Sequence, residues 1–299
     1  MTLQRIDTSL DTISADREYF VPANVARKRL RLGWGAWLGV VWIAGLTFAA
    51  ASAAWLPLPD PLAVHIVDRY VSPSAEFWLG TDQIGRDMLA RVVFGARVSL
   101  TVALFASLIP AVLGTVLGML AGYCRGRAEA AIMGVTDTIL AFPGIILALL
   151  VTAYAGATIF NLVLVLGFLG VPIYTRIARA TTLAFAQREF VLAARVLGAT
   201  HLRIMCRELL PNVFIPVAVV IVLGMARLIV IEGILSFLGL SIPPPTPTWG
   251  NMIAGGVGEL TFHPYISFIP AAAMFFTVFA LNTVSDALRK ATDLKEIAL

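Results

Sequence analysis

Three charged residues lie inside long apolar stretches of the sequence: Asp137, Arg227 and Glu232. An unpaired charge within a bilayer costs at least ~2.5–3.5 kcal/mol, so we expect each side chain to face water, a partner subunit or another helix. Such groups can line or gate a translocation path. Each also has a structural alternative: Asp137 can tie helix ends together, Glu232 can cap a helix near the outer face, and Arg227 can be half of a structural pair. Arg227 and Glu232 lie roughly 140° apart around a helix, so they are not expected to pair.

The sequence lacks the groups that catalysis or nucleotide binding requires. It has no glycine-rich loop followed by Lys and Ser or Thr, the pattern that holds nucleotide phosphates. No Ser, Cys or His stands in a recognisable catalytic arrangement. The histidines, His65, His201 and His263, fall in three different loops without a second ligand at metal-binding spacing. We therefore predict no catalytic residue, no metal and no cofactor on this chain.

The composition indicates a membrane protein that crosses the bilayer several times. Hydrophobic residues make up 59% of the 299 positions and charged residues only 13%. Because ~20 apolar residues cross a bilayer, the uncharged runs predict an all-α fold with six transmembrane helices. The predicted segments are a tail over 1–33, a first helix over 34–56, an outer loop with an amphipathic helix over 57–97, a five-helix core over 98–285 and a tail over 286–299. The core comprises spans within 98–124, 212–240 and 264–285, and a hairpin within 130–175 that turns near Tyr154 to Thr158.

The distribution of positive charge predicts the orientation. The two tails and the loops at 124–130 and 176–211 hold 17 of the 22 Lys and Arg residues. Because such an excess marks the cytoplasmic face, we predict that both termini and the 188–212 loop are cytoplasmic. The net charge of +4 follows from this topology, so no nucleic-acid partner is implied. The predicted location is the cell membrane.

The 188–212 loop is basic and able to form helices between apolar spans. Apolar residues recur at helical spacing in its first half: Phe190, Ala193, Ala194 and Leu197. Gly198 can adopt the left-handed conformation that closes a helix, and Thr200 can cap a second helix that Pro211 would stop. The pattern predicts two short helices hinged at Gly198, with small residues at a bend that a soluble partner could approach closely.

A polar motif, Trp-Leu-Gly-Thr-Asp-Gln-Ile-Gly-Arg-Asp, occupies residues 78–87 of the outer loop. Asp82 is expected to cap a helix that begins near Ile84, and Asp87 is spaced to pair with Arg91 on the same face. Such an amphipathic helix would lie in the outer interface and lead into the second span.

Prolines and glycines shape the predicted helices. Four prolines within 243–247 make the 241–264 loop a rigid outer segment, and Trp249 in this loop suits the membrane interface. Pro143 and Pro172 are expected to kink the third and fourth spans. Small residues at every fourth position of the second span predict a close helix-packing seam: Gly114, Gly118 and Gly122.

Together these motifs resemble the permeases of ATP-binding-cassette importers, in particular the dipeptide, oligopeptide and nickel branch. The order Ala-Ala, three residues, Gly, an amphipathic stretch and Leu-Pro is similar to the coupling loop of such permeases. The 78–87 motif, and the Glu-Gly-Ile-Leu-Ser-Phe-Leu-Gly-Leu run at 232–240 with the Pro-rich segment that follows, resemble the same branch. The resemblance covers about Trp78 to Asp293. Departures from the family pattern occur at Ala90, Leu192, Glu208, Ser285 and Lys290.

The resemblance implies a type I importer permease architecture and assigns roles to particular residues. ATPase coupling is implied for Glu189, Ala193, Ala194, Gly198, Ala199, Leu210 and Pro211. A role in docking an external binding protein is implied for Asp82, Arg86, Asp87 and Trp249.

The resemblance also implies partners: a second related permease forming a heterodimer, two ATPase subunits that use ATP and Mg, an external solute-binding protein and membrane lipid. The implied cargo is a short peptide or a related small solute. An ATP-independent secondary transporter or channel remains the alternative, and a membrane enzyme or structural assembly factor is a second one.

Overall fold

The computed structural model describes residues 33–296, and this part of the chain is almost entirely helical, which confirms the predicted all-α fold. In chain order the helices are α1 (Trp34–Ser52), α2 (Met88–Cys124), α3 (Gly126–Ala141), α4 (Gly144–Ala155), α5 (Ile159–Phe185), α6 (Glu189–Val196), α7 (His201–Phe237), α8 (Trp249–Gly256) and α9 (Tyr265–Glu296). Short 3-10 turns occupy Ile66–Asp68 and Val257–Glu259.

Five of these helices, α1, α2, α5, α7 and α9, are each long and apolar enough to cross a membrane. The pair α3 and α4 passes the same test together but bends by 79°, and counting it as one span gives the six predicted spans. The predicted hairpin turn is confirmed between Ala155 and Ile159. There the side-chain amide of Asn161 donates to the carbonyls of Ala155 (2.7 Å) and Gly156 (2.9 Å), which closes the turn.

Prolines act differently in the two arms of this hairpin. Phe142, which precedes Pro143, is extended (φ −89°, ψ 138°), and α4 begins afresh at Gly144. Because proline lacks an N–H and restricts the residue before it, the kink expected at Pro143 becomes a complete break. Pro172, by contrast, lies inside the unbroken α5, so the proline predicted to kink this span does not interrupt it.

The glycine seam predicted on the second span is confirmed, and its partner is α5. A Cβ added to Gly114 would lie 2.6 Å from the Cβ of Tyr174, and one added to Gly118 would lie 2.6 Å from the Cβ of Ala178. Gly122 meets the backbone of α5 in the same way. Glycine at these positions therefore lets the two helices approach more closely than any side chain would permit.

The second span starts differently from the prediction. Gly85 has a φ of +80°, which a helix beginning at Ile84 cannot contain, so the separate amphipathic helix is wrong. Instead α2 begins at Met88 and runs unbroken for 37 residues. Asp87 caps it, because its Oδ1 accepts a hydrogen bond from the Ala90 N–H at 2.7 Å.

Two further boundaries differ from the predictions. The first helix ends at Ser52 rather than at residue 56. The last helix continues to Glu296 instead of giving way to a tail at residue 286, since the intervening sequence contains no Gly or Pro to end it. The predicted tail over 1–33 lies outside the described residues except for Gly33.

The expectation that Pro211 stops a short helix is also wrong. A wider turn with i→i+5 hydrogen bonds spans Ile204–Leu209, in which the Leu210 N–H donates to the Met205 carbonyl. Pro211 then enters at the first turn of the α-helical segment that follows, where a missing N–H costs little. As a result α7 is one continuous helix of 37 residues.

Candidate coupling loop and translocation path

The segment between α5 and α7 has the local geometry that its sequence predicts. Gly198 adopts a φ of +78° and closes α6, with its N–H donating to the Arg195 carbonyl at 3.0 Å. The Ala199 N–H donates to the Ala194 carbonyl, also at 3.0 Å. Thr200 then caps α7, since its hydroxyl accepts from the backbone of the helix that follows. The predicted bend at Gly198 and the predicted cap at Thr200 are therefore both present.

One side of the loop packs against the helix bundle. Val191 is fully buried and belongs to a core cluster that includes Phe185, Ile204, Leu209 and Val213. The Tyr123 hydroxyl, one residue before the end of α2, lies 2.8 Å from His201 Nδ1. The Arg195 guanidinium sits 5.4 Å from the centre of the Tyr123 ring. These contacts connect the loop to the ends of α2, α5 and α7.

The side of the loop that faces away from the helix bundle is apolar and exposed. Val196 is 87% exposed, Leu197 86% and Leu202 72%. We call these three residues the apolar tip. Isolated exposed apolar residues are common on proteins, but three large ones around a single bend form a patch that suits a protein partner.

Five of the predicted coupling residues lie at or near this bend, and the other two lie further along α7. Glu189, Ala193 and Gly198 are exposed, and Ala194 and Ala199 are partly buried beside the bend. Leu210 and Pro211 lie about 14–15 Å along α7 from His201, by helical rise, so they do not form part of the bend.

The predicted docking residues of the outer loop bind the loop to itself. Asp82 is buried; its Oδ1 accepts from the Arg86 N–H (3.0 Å), and its Oδ2 pairs with Arg86 Nε (2.6 Å) and Arg91 Nε (3.6 Å). Arg91 also donates to the Pro61 carbonyl at 3.0 Å. The expected pairing of Asp87 with Arg91 is therefore wrong, since Asp87 caps α2 and Asp82 takes its place.

Trp249 does not face the membrane surface as an interface anchor would. It is fully buried at the start of α8, and its indole N–H donates to the Val92 carbonyl of α2 at 3.1 Å. Gly95, one turn further along α2, faces the ring: a Cβ there would lie 3.4 Å from the indole Cδ1. A buried indole with its N–H satisfied packs the outer loop onto the bundle.

Glu232 is the centre of a buried polar cluster near the C-terminal end of α7. Its carboxylate accepts from the Ser99 hydroxyl of α2 and from the Ser241 hydroxyl of the Pro-rich loop, both at 3.1 Å. A second link joins the Ser236 and Thr248 hydroxyls at 2.7 Å. These hydrogen bonds cross-link α2, α7 and the Pro-rich loop. Glu232 therefore has structural contacts, although they join side chains rather than cap a helix.

Asp137 and Arg227 have contrasting environments. Asp137 on α3 pairs with Arg176 on α5 at 2.7 Å, and the Glu129 carboxylate contacts Arg179 one turn further along α5. Arg227 is exposed on α7 and makes no hydrogen bond or ion pair with the side chains described between residues 33 and 291. The expectation that Arg227 and Glu232 do not pair is confirmed, because the Glu232 carboxylate bonds to serines.

A bundle of membrane-length helices with an anchored loop and an exposed apolar tip indicates a membrane protein that binds a further subunit. Residues 114–295 match the family described as binding-protein-dependent transport system inner membrane component. The chain is 36% identical over 269 residues to the glutathione transport system permease protein GsiD of Escherichia coli O6:K15:H31, covering 90% of this chain and 89% of that protein. It is 37% identical over 223 residues to its counterpart from Pectobacterium atrosepticum, covering 75% and 74%.

Among solved structures, the inward-facing MetNI methionine ABC transporter has a similar fold, with a TM-score of 0.55 and 17% identity over 69% of this chain and 97% of that one. The chain belongs to the family of inner-membrane components of binding-protein-dependent transport systems. It is the transmembrane permease subunit of an ATP-driven importer of the ATP-binding-cassette class. The predicted family, architecture and membrane location are confirmed, and ATP hydrolysis resides in separate subunits rather than on this chain.

Proposed function

We propose that this chain is one of two different but related permease subunits that together import short peptides. Two ATPase subunits, which bind ATP and Mg²⁺, would drive the pair, and an external binding protein would deliver the cargo. The relatives from Escherichia coli and Pectobacterium atrosepticum are permeases of glutathione transport systems, and glutathione is a tripeptide. Their similarity over most of the chain supports a short peptide as the cargo here.

The observation that carries the proposal is the apolar tip on its anchored loop. Burying an exposed Val or Leu side chain contributes ~1.5–3 kcal/mol, so a partner that covers Val196, Leu197 and Leu202 gains substantially. A Cβ built on Gly198, between them, meets nothing within 4 Å, so the bend is open to close approach. We propose that one ATPase subunit occupies this position.

Movement of the ATPases would reach the membrane through the loop's anchors. Because Tyr123, Val191 and His201 join the loop to three spans, the loop and those helix ends would move together. Nucleotide can favour an outward-open or an inward-open bundle only through a difference in affinity for the two states. The loop supplies the contact in which that difference arises.

The remaining predicted site residues have proposed roles in the translocation path and on the outer face. We propose that Arg227 lines the translocation path, while the cross-links of Asp137 and Glu232 hold its walls. On the outer face, Asp82, Asp87 and Trp249 would support the backbone on which the binding protein docks, and Arg86, whose side chain is 11% exposed, would lie nearest to it.

The test is a substitution at the bend. Gly198→Asp places a side chain and a negative charge at a left-handed position in the proposed contact, so ATP-dependent uptake into proteoliposomes is expected to fall to background. Membrane insertion should persist, because among the described residues nothing lies within 4 Å of a Cβ built on Gly198. Association with the second permease is expected to persist as well.

Gly198→Asn is the matched control, since Asn tolerates a positive φ and adds no charge. It is expected to retain more uptake than the Asp variant. Wild-type uptake by Gly198→Asp would remove the coupling role from this bend. Uptake by the wild-type permease pair in vesicles without ATPase subunits would instead favour a secondary transporter.

A further inference from the structure

We propose that Arg227 forms an anion site inside the membrane, on the transport path, and that it receives a carboxylate group of the cargo. The inference rests on the proposed function and adds a chemical class of cargo to it. It assigns to this importer solutes that carry a carboxylate, such as the free C-terminus of a short peptide.

The two acidic residues of the predicted apolar segments, Glu232 and Asp137, have other partners than Arg227. Glu232, on the same helix, points to Ser99 and Ser241 and is fully buried. Asp137 is paired with Arg176. Of the three charged residues in the predicted apolar segments, Arg227 is therefore the one without a hydrogen bond or ion pair in the part of the chain that the structure describes.

Arg227 stands in the middle of an uncovered face of α7. Exposed residues flank it at helical spacing: Leu223, Val230 and Ile234. The opposite side buries Ala226 and Ile229 in the bundle core. This helix is the most apolar of the spans but is among the least buried. The described part of this chain therefore does not cover the face of α7 that carries Arg227.

The depth of Arg227 determines what can meet it. It lies ten residues before the outer end of α7 at Phe237, or ~15 Å by helical rise, which is about half of a ~30 Å hydrocarbon core. A guanidinium stays charged at any physiological pH, so lipid contact at this depth is costly. Water must reach it, or an acidic group must pair with it.

A guanidinium in a water-filled cleft with apolar walls is a selective anion site. Its planar N–H groups match the two oxygens of a carboxylate, and the low dielectric of the walls strengthens the attraction. Within the part of the chain that the structure describes, no acidic side chain pairs with Arg227, so the transient arrival of a carboxylate is the interaction that we assign to it.

The test measures water access and anion preference at the neighbouring position. In the assembled importer, Cys124 and Cys206, both exposed, are first replaced by Ser, and Leu223→Cys is introduced one turn from Arg227. Labelling rates are compared for an anionic sulfonate and a cationic trimethylammonium thiosulfonate reagent, each divided by its rate with a small free thiol. A charge ~6 Å away in water changes each rate roughly threefold, so their ratio should favour the anion about tenfold.

Removing the charge should abolish the preference. Adding Arg227→Gln is expected to bring the ratio close to that of the free thiol, and Arg227→Lys should preserve it. Val230→Cys provides a second reporter on the same face, and Ala226→Cys, which is buried, should react with neither reagent. A tripeptide with a free C-terminus should slow labelling of Leu223→Cys more than its C-terminal amide does.

Three results would overturn the proposal. Reporter cysteines that resist both reagents in every nucleotide state would place this face against lipid or protein. Loss of the second permease on purification of Arg227→Gln would make Arg227 half of a structural pair. Equal protection by the peptide and its amide would exclude a carboxylate ligand. The proposed importer function fails separately, through absent ATP-dependent uptake by the wild-type complex, which the labelling ratio does not measure.

Discussion

Adding a single methyl group to the seam between α2 and α5 is expected to destabilise the permease. In Gly118→Ala the new Cβ would lie 2.6 Å from the Cβ of Ala178, whereas carbon atoms in contact are normally ~3.5–4.0 Å apart. The helices must separate locally by about 1 Å, and the neighbours on the α5 side include backbone atoms that cannot rotate away. Overpacking of this kind costs ~1–3 kcal/mol.

The chain supplies a matched control for this substitution. Gly134 lies within α3, and a Cβ there would meet nothing within 4 Å. Gly134→Ala is therefore expected to be neutral, or to stabilise the protein by about 0.5–1 kcal/mol, because alanine is the better helix former. Thermal unfolding in mild detergent, followed by tryptophan fluorescence, compares the two variants.

Each kcal/mol shifts the melting temperature by roughly 2–4 °C in a protein of this size, so Gly118→Ala should melt several degrees below the wild type. Gly134→Ala should melt at or above it. Equal melting temperatures for the two variants would show that the seam is loose enough to admit a side chain, and the reasoning about close approach would be refuted.

Two further predictions concern the outer face. Trp249→Ala should leave a cavity costing ~3–5 kcal/mol and sharply reduce the folded protein recovered from membranes, whereas Trp78→Ala, at a 71% exposed position, should be recovered like the wild type. The Tyr70 hydroxyl donates to the Glu259 carboxylate at 2.9 Å, and this bond raises the pKa of the phenol above its ordinary value of 10. Because the folded state holds this proton more tightly, the stabilisation from this hydrogen bond is present below pH 10 and is lost as the pH rises through the raised pKa. A phenolate absorbance titration that compares the wild type with Tyr70→Phe measures the pKa of Tyr70. A value at or below 10 would contradict the prediction.

Local features of the bundle could be predicted from the sequence because each depends on neighbouring residues. The bend at Gly198 follows from the conformational freedom of glycine and the cap at Thr200 from its hydroxyl. A distortion at Pro143 was predictable in the same way, although as a kink rather than the complete break that the structure has. The seam at Gly118 follows from four-residue spacing on one helix face. In each case the relevant physics acts within one or two helical turns.

The contacts that organise the site could not be predicted in this way. Tyr123 and His201 are 78 positions apart, and Ser99 and Glu232 are 133 apart. No pattern in a single sequence pairs such residues, because their meeting depends on how the spans assemble. The burial of Trp249 could not be predicted for the same reason: its indole N–H donates to the Val92 carbonyl of α2, 157 positions away.

Because α7 runs unbroken, movements of its two ends are coupled. Its 37 residues make a rod of ~55 Å that begins beside the apolar tip and ends near the Pro-rich loop. Tilting such a rod by about 10° around its centre carries its two ends ~5 Å in opposite directions. Opening on one face is then mechanically opposed to opening on the other, so a leak through both faces at once would require α7 to bend. The wide turn at Ile204–Leu209 is where the regular hydrogen-bond pattern of this helix is already interrupted, and its stiffness would determine how tightly the two faces alternate.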